Sequence, residues 1–344
     1  MSVNFFRITT PSSHRLRMGL IGLGYWGPNI LRNLMMMPGV DLRMACDLSA
    51  LRLKQISTEY PGVKRTRRAE DVFKATDIDA VAIATPVSTH YPLARAALAA
   101  KKHVFIEKPL SASTREAQAL IHLAALQKRV LMVDHIFVYS SPVQKIKQLI
   151  HSKQIGTIYY VDAVRVNLGA FQRDVNVIWD LAPHDLSILD FLLSDQPQGI
   201  SAVTGRHIHN QYDMAYLTIR YPGQLLAHVH VNWLAPAKIR QIIVGGSKRM
   251  VVYDDTAPAE QVKVYNKGVQ GITGNQGQIQ YRLGDMWAPH IEIREALRTA
   301  LEHFVHCIHH RLAPLTDGHA GLRVVRMLEA ACKSAASGGR EIRL

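Results

Sequence analysis

Cysteine is scarce in this chain: Cys46, Cys307 and Cys332 are the only three in 344 residues. Their odd number and wide spacing exclude a disulfide framework and a clustered zinc site. Long apolar runs are missing as well. None approaches the roughly 18 residues that cross a bilayer, and the N-terminal stretch up to Leu16 holds no apolar segment ahead of a small-residue cleavage site. A cytoplasmic protein without a membrane partner is expected. Acid is also in short supply, with 27 Asp and Glu against 41 Lys and Arg and a formal net charge of +14. Such a balance attracts anions, from nucleic acid to phosphorylated small molecules. The densest basic run, Lys64, Arg65, Arg67 and Arg68, has no interleaved aromatics to stack on bases. It reads as a solvated loop, and nucleic acid is not an expected partner. Internal repeats and low-complexity tracts are lacking too.

What is present is globular: 48% hydrophobic and 20% charged residues, at a length that suits two cores. From Met18 to Val133, short apolar runs alternate with amphipathic stretches, the pattern of a doubly wound parallel sheet covered by helices. Ser113 and Glu116 have capping-box spacing for a long helix ending near Lys128. Beyond His135 the strands return on one another: Ile158 to Asn167, Gly199 to His207, Ala215 to Tyr221, Leu225 to Trp233, Ile239 to Val244, Met250 to Asp254 and Val262 to Tyr265. Turn chemistry at Tyr221-Pro222-Gly223 and Gly245-Gly246-Ser247 predicts mostly antiparallel neighbours. Helices are expected at Pro142 to His151, Pro183 to Leu193, Glu295 to His310 and His319 to Ala336, and Asn266 to Pro289 reads as a long loop. The fold class is thus α/β plus α+β: a Rossmann domain over 1–136, then a domain over 137–344 built on an open, mainly antiparallel sheet flanked by helices.

Gly22-Leu23-Gly24-Tyr25-Trp26-Gly27 follows the first strand and opens a helix, the context that gives a GxGxxG match meaning. One glycine makes the tight turn, the second admits the pyrophosphate and the third packs helix on strand. The helix N-terminus turns free N–H groups toward the phosphates. Asp47 closes the second strand, where a carboxylate can accept the adenosine ribose hydroxyls and repel a 2′-phosphate. NAD is the expected cofactor, and Arg52 nearby leaves NADP open. Thr85, Pro86 and His90 follow the strand Ala80 to Ala84 and are expected to line the same crevice.

Three features together resemble the Gfo/Idh/MocA oxidoreductases: this glycine loop, Glu107-Lys108-Pro109 at the end of the strand from His103, and Asp180-Leu181-Ala182-Pro183-His184. The resemblance covers nearly the whole chain, including Thr316-Asp317-Gly318. It implies hydride transfer between the nicotinamide C4 and a carbon bearing a hydroxyl, on a sugar or cyclitol. It also implies that Lys108 and His184 sit beside the nicotinamide, and that the second domain carries substrate residues and forms a homodimer or homotetramer through its sheet. Residue chemistry agrees. A carbinol that loses hydride must lose its hydroxyl proton to a base, and histidine, with an ordinary pKa of about 6.5, suits that role near neutral pH. Asp180 stands one helical turn before His184 and can orient it, with Asp185 the local competitor. Lys108 can stabilise the developing alkoxide, and whether Lys108 or His184 carries the proton is open.

Many members of the family have glycine and aspartate where this chain has Trp179 and Ser187. Trp179 is read either as stacking near the nicotinamide or as packed between domains. Arg165 and Asn167 are expected to face the substrate. The segments Arg165-Val166-Asn167-Leu168-Gly169 and Trp179 to Asp185 look most like the nucleotide-sugar 3-dehydrogenase branch, whose substrates include UDP-N-acetylglucosamine and its uronate. The alternatives are a dehydrogenase of inositol or another small alcohol, and a non-catalytic NAD-binding sensor, which would have no need of Lys108, Asp180 and His184. The pairs His207 with His209 and His228 with His230, and the trio His303, His306 and His310, lack grouped acidic or cysteine partners, so no metal is expected.

Overall fold

The computed structural model describes residues 15–169, 171–172, 174–208, 210–273 and 278–344. Among these, residues 15–139 and 294–325 form one compact unit, and 140–293 with 326–344 form the other.

The first unit runs β1 (Leu16–Ile21), α1 (Gly27–Met36), β2 (Val40–Cys46), α2 (Ala50–Glu59), β3 (Lys64–Thr66), α3 (Ala69–Lys74), β4 (Ala80–Ile83), α4 (Val87–Ala99), β5 (His103–Glu107), α5 (Thr114–Gln127) and β6 (Leu131–Asp134). All its strands pair in parallel, in the order β3-β2-β1-β4-β5-β6. That order reverses direction between β1 and β4, where doubly wound sheets place ligands. The strands are apolar runs because helices cover both faces; every residue of β4 is buried. The helix starts follow the sequence signals. Pro28 lies in the first turn of α1, Ser49 Oγ accepts from Arg52 N–H, and Ser113 Oγ accepts from Glu116 N–H while Glu116 Oε2 accepts from Ala112 N–H.

The basic run departs from expectation. Lys64–Thr66 pair with Met44–Cys46 as the edge strand, a position that supplies hydrogen bonds on one side and leaves Lys64 and Arg65 exposed.

The second unit contains α6 (Ser141–His151), β7 (Ile158–Leu168), α7 (Val177–Leu192), β8 (Gly199–Gly205), β9 (Met214–Arg220), β10 (Leu226–Asn232), β11 (Leu234–Gly246), β12 (Met250–Asp254), β13 (Val262–Thr273) and β14 (Gln278–Trp287). In chain order there follow α8 (Ala296–His310), which belongs to the first unit, α9 (Gly318–Ala336), which has residues in both, and β15 (Ile342–Arg343), which belongs to the second. The sheet has nine strands in the order β14-β13-β12-β11-β7-β10-β9-β8-β15. Only β7 and β10 are parallel neighbours. Burial alternates along β9 and β10; one face lies under α7, and the other carries Tyr216 stacked on His230 at 4.3 Å between ring centroids.

Two expectations need correcting. The glycine- and glutamine-rich stretch after Tyr265 is a hairpin of β13 and β14, because Val269, Ile279, Tyr281 and Leu283 favour extended pairing and two register shifts absorb the irregular positions; residues 274–277 lie outside the described residues. α7 starts at Val177, not Pro183, because Asn176 caps it by accepting from the N–H groups of Ile178 and Trp179, leaving Pro183 inside the helix.

A single cut at 136/137 assigns residues 294–325 differently from the compact units. Phe304 of α8 packs on Phe105 of β5 with centroids 5.6 Å apart. Thr316 Oγ1 donates to Val133 O at 2.6 Å, and Thr316 O accepts from Val133 N–H at 2.8 Å. Thr316-Asp317-Gly318 therefore extends the sheet beside β6, and Gly318 is needed there because a β-carbon would come within 2.8 Å of Ile121. No helix among the described residues is long and apolar enough to cross a membrane.

Candidate active site

The glycine loop leaves β1 at the switch point, and its three glycines separate by what surrounds them. Gly22 has φ +97°, and a β-carbon there would lie 2.2 Å from Ala84 O. A β-carbon on Gly27 would lie 2.2 Å from Gly22 O. Both are fixed by the protein itself. Gly24 is different: its nearest neighbour would be Arg52 Nη1 at 4.0 Å, so the space above it is open. A pyrophosphate fits that space, with the N-terminal N–H groups of α1 beside it.

Asp47 is buried, with 6% exposure. Its Oδ2 accepts from Leu23 N–H and its Oδ1 from Ser49 N–H, both at 2.7 Å. The carboxylate thus ties the glycine loop to the end of β2 and keeps further lone pairs for ribose hydroxyls. Arg52 Nη1 stands 3.5 Å from Oδ2. Tyr25 is almost fully exposed, while Trp26 turns inward and donates from Nε1 to Asp134 Oδ2 at 3.3 Å.

At the next strand end, Thr85 and Pro86 border Gly22 and begin α4. His90 is wholly buried, with Nδ1 2.8 Å from Pro109 O and Nε2 2.9 Å from Thr85 O. A neutral ring donates to one of these carbonyls only, and its burial keeps both nitrogens from a ribose. The expectation that His90 meets the cofactor gives way to a bracing role between the turn after β4 and the Glu107-Lys108-Pro109 turn after β5.

Glu107 and Asp134 are register partners at the ends of β5 and β6. Both carboxyls are buried, with Glu107 Oε1 and Asp134 Oδ1 lacking a hydrogen-bond partner among the described residues. Burial raises both above the ordinary carboxylate range, and the Asp134 charge raises Glu107 further. Glu107 Oε2 also accepts from Lys108 N–H at 3.1 Å, and the Lys108-Pro109 peptide is cis. Lys108 follows the last residue of β5 and so lies at the ligand-binding end of the sheet, beside these two buried carboxyls. His135, next in the chain, is buried with neither ring nitrogen bonded among the described residues. Burial first, then the charges of Lys108 and Arg323, lowers its pKa to about 3, so it is neutral. Asp134 and His135 were not singled out from the sequence. The signal available was their place at the carboxyl end of a parallel strand.

In the second unit, α7 carries Asp180 and His184 one turn apart, both half-buried. Asp180 Oδ2 accepts from Trp233 Nε1 at 3.0 Å, which ties the carboxylate to the residue between β10 and β11. Trp179 is half-buried and hydrogen-bonds to Cys332. Arg165 does not face a substrate. It is buried in a bidentate ion pair with Asp185, Nε to Oδ2 at 2.8 Å and Nη2 to Oδ1 at 2.9 Å. That pairing also removes Asp185 as the competitor to orient His184. Asn167, two residues further along β7, is half-buried. Among the described residues no three of His, Cys, Asp and Glu group as metal ligands; His209 lies outside them.

A doubly wound sheet with this glycine loop, and a lysine at the end of its fifth strand, defines a dinucleotide-dependent oxidoreductase. The comparisons with known proteins give the family. Residues 16–135 match the model described as "Oxidoreductase family, NAD-binding Rossmann fold", and residues 143–252 match the "GFO/IDH/MocA C-terminal domain". The chain belongs to the Gfo/Idh/MocA oxidoreductases. A UDP-N-acetylglucosamine 3-dehydrogenase of Acidithiobacillus ferrooxidans is 28% identical over 90% of this chain and 94% of its own. A D-apiose dehydrogenase of Rhizobium rhizogenes is 24% identical over 94% of this chain and 96% of its own. Among solved structures, GenD2 from gentamicin A biosynthesis, in complex with NAD, superposes with a TM-score of 0.82 at 22% identity, covering 98% of this chain and 99% of its own.

Proposed function

We propose that this protein is an NAD-dependent dehydrogenase that oxidises a secondary hydroxyl of a nucleotide sugar, with C3 of a UDP-N-acetylhexosamine or its uronate as the type substrate. The observation that carries the reading is Lys108 at the carboxyl end of β5, next to the buried carboxyls of Glu107 and Asp134, in a chain similar over nine-tenths of its length to a UDP-N-acetylglucosamine 3-dehydrogenase. Asp47, tied to the glycine loop, supports NAD over its 2′-phosphate.

The bound cofactor supplies a hydride acceptor at the nicotinamide C4. The chain's residues manage the proton and the charge. As the carbon–hydrogen bond gives up its electron pair, the hydroxyl proton passes to His184, and a ketone remains. Asp180, held by Trp233, keeps the face of α7 that carries His184 in one orientation. The Lys108 ammonium stabilises the oxygen as it becomes an alkoxide. We further propose that the uncovered face of the nine-stranded sheet, with Tyr216 and His230 upon it, pairs with a second copy.

The test is NADH formation from a panel of UDP-N-acetylglucosamine, its uronate, free hexoses and inositols. Turnover of the UDP sugars well above the rest is expected; turnover of inositols alone would replace this reading with a cyclitol dehydrogenase.

A further inference from the structure

At the end of the first sheet remote from the glycine loop, where β5 and β6 begin, there is a cavity of about 940 Å³. That volume suits a small-molecule site, roughly 300–1,000 Å³. Ile121, Leu131, Ile308 and Pro314 give it an apolar lining, and Lys101, Lys128, Arg129 and Arg311 ring it with positive charge. Its one acid, Asp317, is engaged at the start of α9, where Oδ1 accepts from Ala320 N–H at 2.9 Å.

Three helices, α4, α5 and α8, stop at this cavity, and all stop in the same way. Lys101, Lys128 and Arg311 adopt left-handed backbone, with φ of 60°, 52° and 55°. The N–H of the following residue then returns to a carbonyl five residues back: Lys102 to Ala97 at 3.0 Å, Arg129 to Ala124 at 2.9 Å and Leu312 to Cys307 at 2.9 Å. Glycine is the usual occupant of such a position, because a β-carbon there crowds the backbone. The returning N–H groups already satisfy the last helical carbonyls, so the side chains are not needed as caps. A cation at a helix C-terminus gains about 0.3–1 kcal/mol from the dipole, and α6 in the other unit stops in the same way on Lys153, with φ 56° and Gln154 N–H returning to Leu149 O at 3.0 Å. What sets the cavity apart is that three such cations converge on it.

His103 and Arg129 supply an independent sign. His103 Nδ1 accepts from Val130 N–H at 2.9 Å. Burial first, then the charge of Arg129, lowers its pKa to about 4, so the ring is neutral and its proton sits on Nε2. That Nε2–H faces Arg129 Nη1, another donor, at 3.4 Å, and Arg129 Nε is buried with no acceptor among the described residues. Donors converge there and an acceptor is missing.

We propose that this cavity is a second binding site, for a phosphorylated small molecule whose phosphate is held by Arg129, Lys128 and Arg311. It is separate from the cofactor edge, since His103 and Glu107 are opposite ends of one strand, roughly 13 Å apart. It does not depend on the dehydrogenase reading.

The test is calorimetric titration of pyrophosphate and of inorganic phosphate into NAD-saturated protein, so that the glycine loop is occupied, with thermal unfolding alongside. Lys128→Gly with Arg311→Gly keeps the left-handed backbone and removes two charges. Saturable pyrophosphate binding is expected in the wild type and at least a tenfold loss in the double variant, whose Tm without pyrophosphate is equal or higher. Arg129→Gln is expected to weaken pyrophosphate binding likewise. No saturable binding of either anion by the wild type, equal affinity in the variants, or a lower Tm of the double variant without pyrophosphate would each overturn the proposal.

Discussion

Arg165 and Asp185 hold one another in the interior of the second unit, with side-chain exposures of 4% and 1% and both guanidinium-to-carboxylate contacts under 3 Å. Removing one member leaves the other as an uncompensated buried charge. Arg165→Ala is expected to destabilise the protein by about 3–5 kcal/mol, read from urea unfolding. Arg165→Met combined with Asp185→Leu should recover most of that loss. A loss of substrate affinity with unchanged stability would instead return Arg165 to the substrate.

The glycine loop predicts two different failures. Gly22→Ala places a β-carbon on Ala84 O and strains a left-handed backbone, so thermal unfolding without cofactor should show a lower Tm. Gly24→Ala meets nothing in the protein. Its Tm without cofactor should match the wild type, while NAD affinity, followed by calorimetry, falls at least tenfold, by about 1.4 kcal/mol or more. Equal affinity would show that the pyrophosphate does not approach Gly24.

A pH prediction follows from the Glu107 and Asp134 pair. Both carboxyls have raised pKa values in the folded state, Asp134 to about 6 from 3.8. The folded chain thus keeps a proton that the unfolded chain releases, so this contribution is full at low pH and is lost as pH rises through about 6. Asp134→Asn removes that titration. Its stability relative to the wild type should rise across pH 4 to 6, by on the order of 3 kcal/mol in all, measured by denaturant unfolding at each pH. A flat difference would mean that burial does not raise the Asp134 carboxyl.

His135 titrates in the opposite sense. Its pKa falls to about 3, so its contribution is present above about 6.5 and is lost as pH falls toward 3. Substituting His135→Asn should shallow the acid side of the stability curve by on the order of 1.4 kcal/mol per pH unit within that window. An unchanged acid limb would show that His135 is solvated and charged.

The parallel order of the first sheet was legible because each βα unit carries its own signals: a fully apolar strand, a cap such as Ser49 or Ser113, and glycines at the switch point. Lys108 was legible for the same reason, as the residue after a strand end. What escaped was non-local. Arg165 lies on the parity of Val161 and Ala163, which marks the covered face of β7, but its partner Asp185 comes from a helix 20 residues on. The two carbonyls on His90 belong to turns that meet only in the folded sheet. β14 was hidden because glycine and glutamine outweighed the alternation of Ile279, Tyr281 and Leu283. The start of α7 was misjudged because Pro183 marks a first turn more often than an interior.

Hydride transfer assisted by Lys108 is read from single-turnover NADH formation on UDP-N-acetylglucosamine, with wild type and Lys108→Ala compared at saturating NAD. The variant is expected to bind NAD normally and to form NADH at least about a hundredfold more slowly, the usual effect of losing one group that stabilises a developing oxyanion. An unchanged single-turnover rate in Lys108→Ala would contradict it.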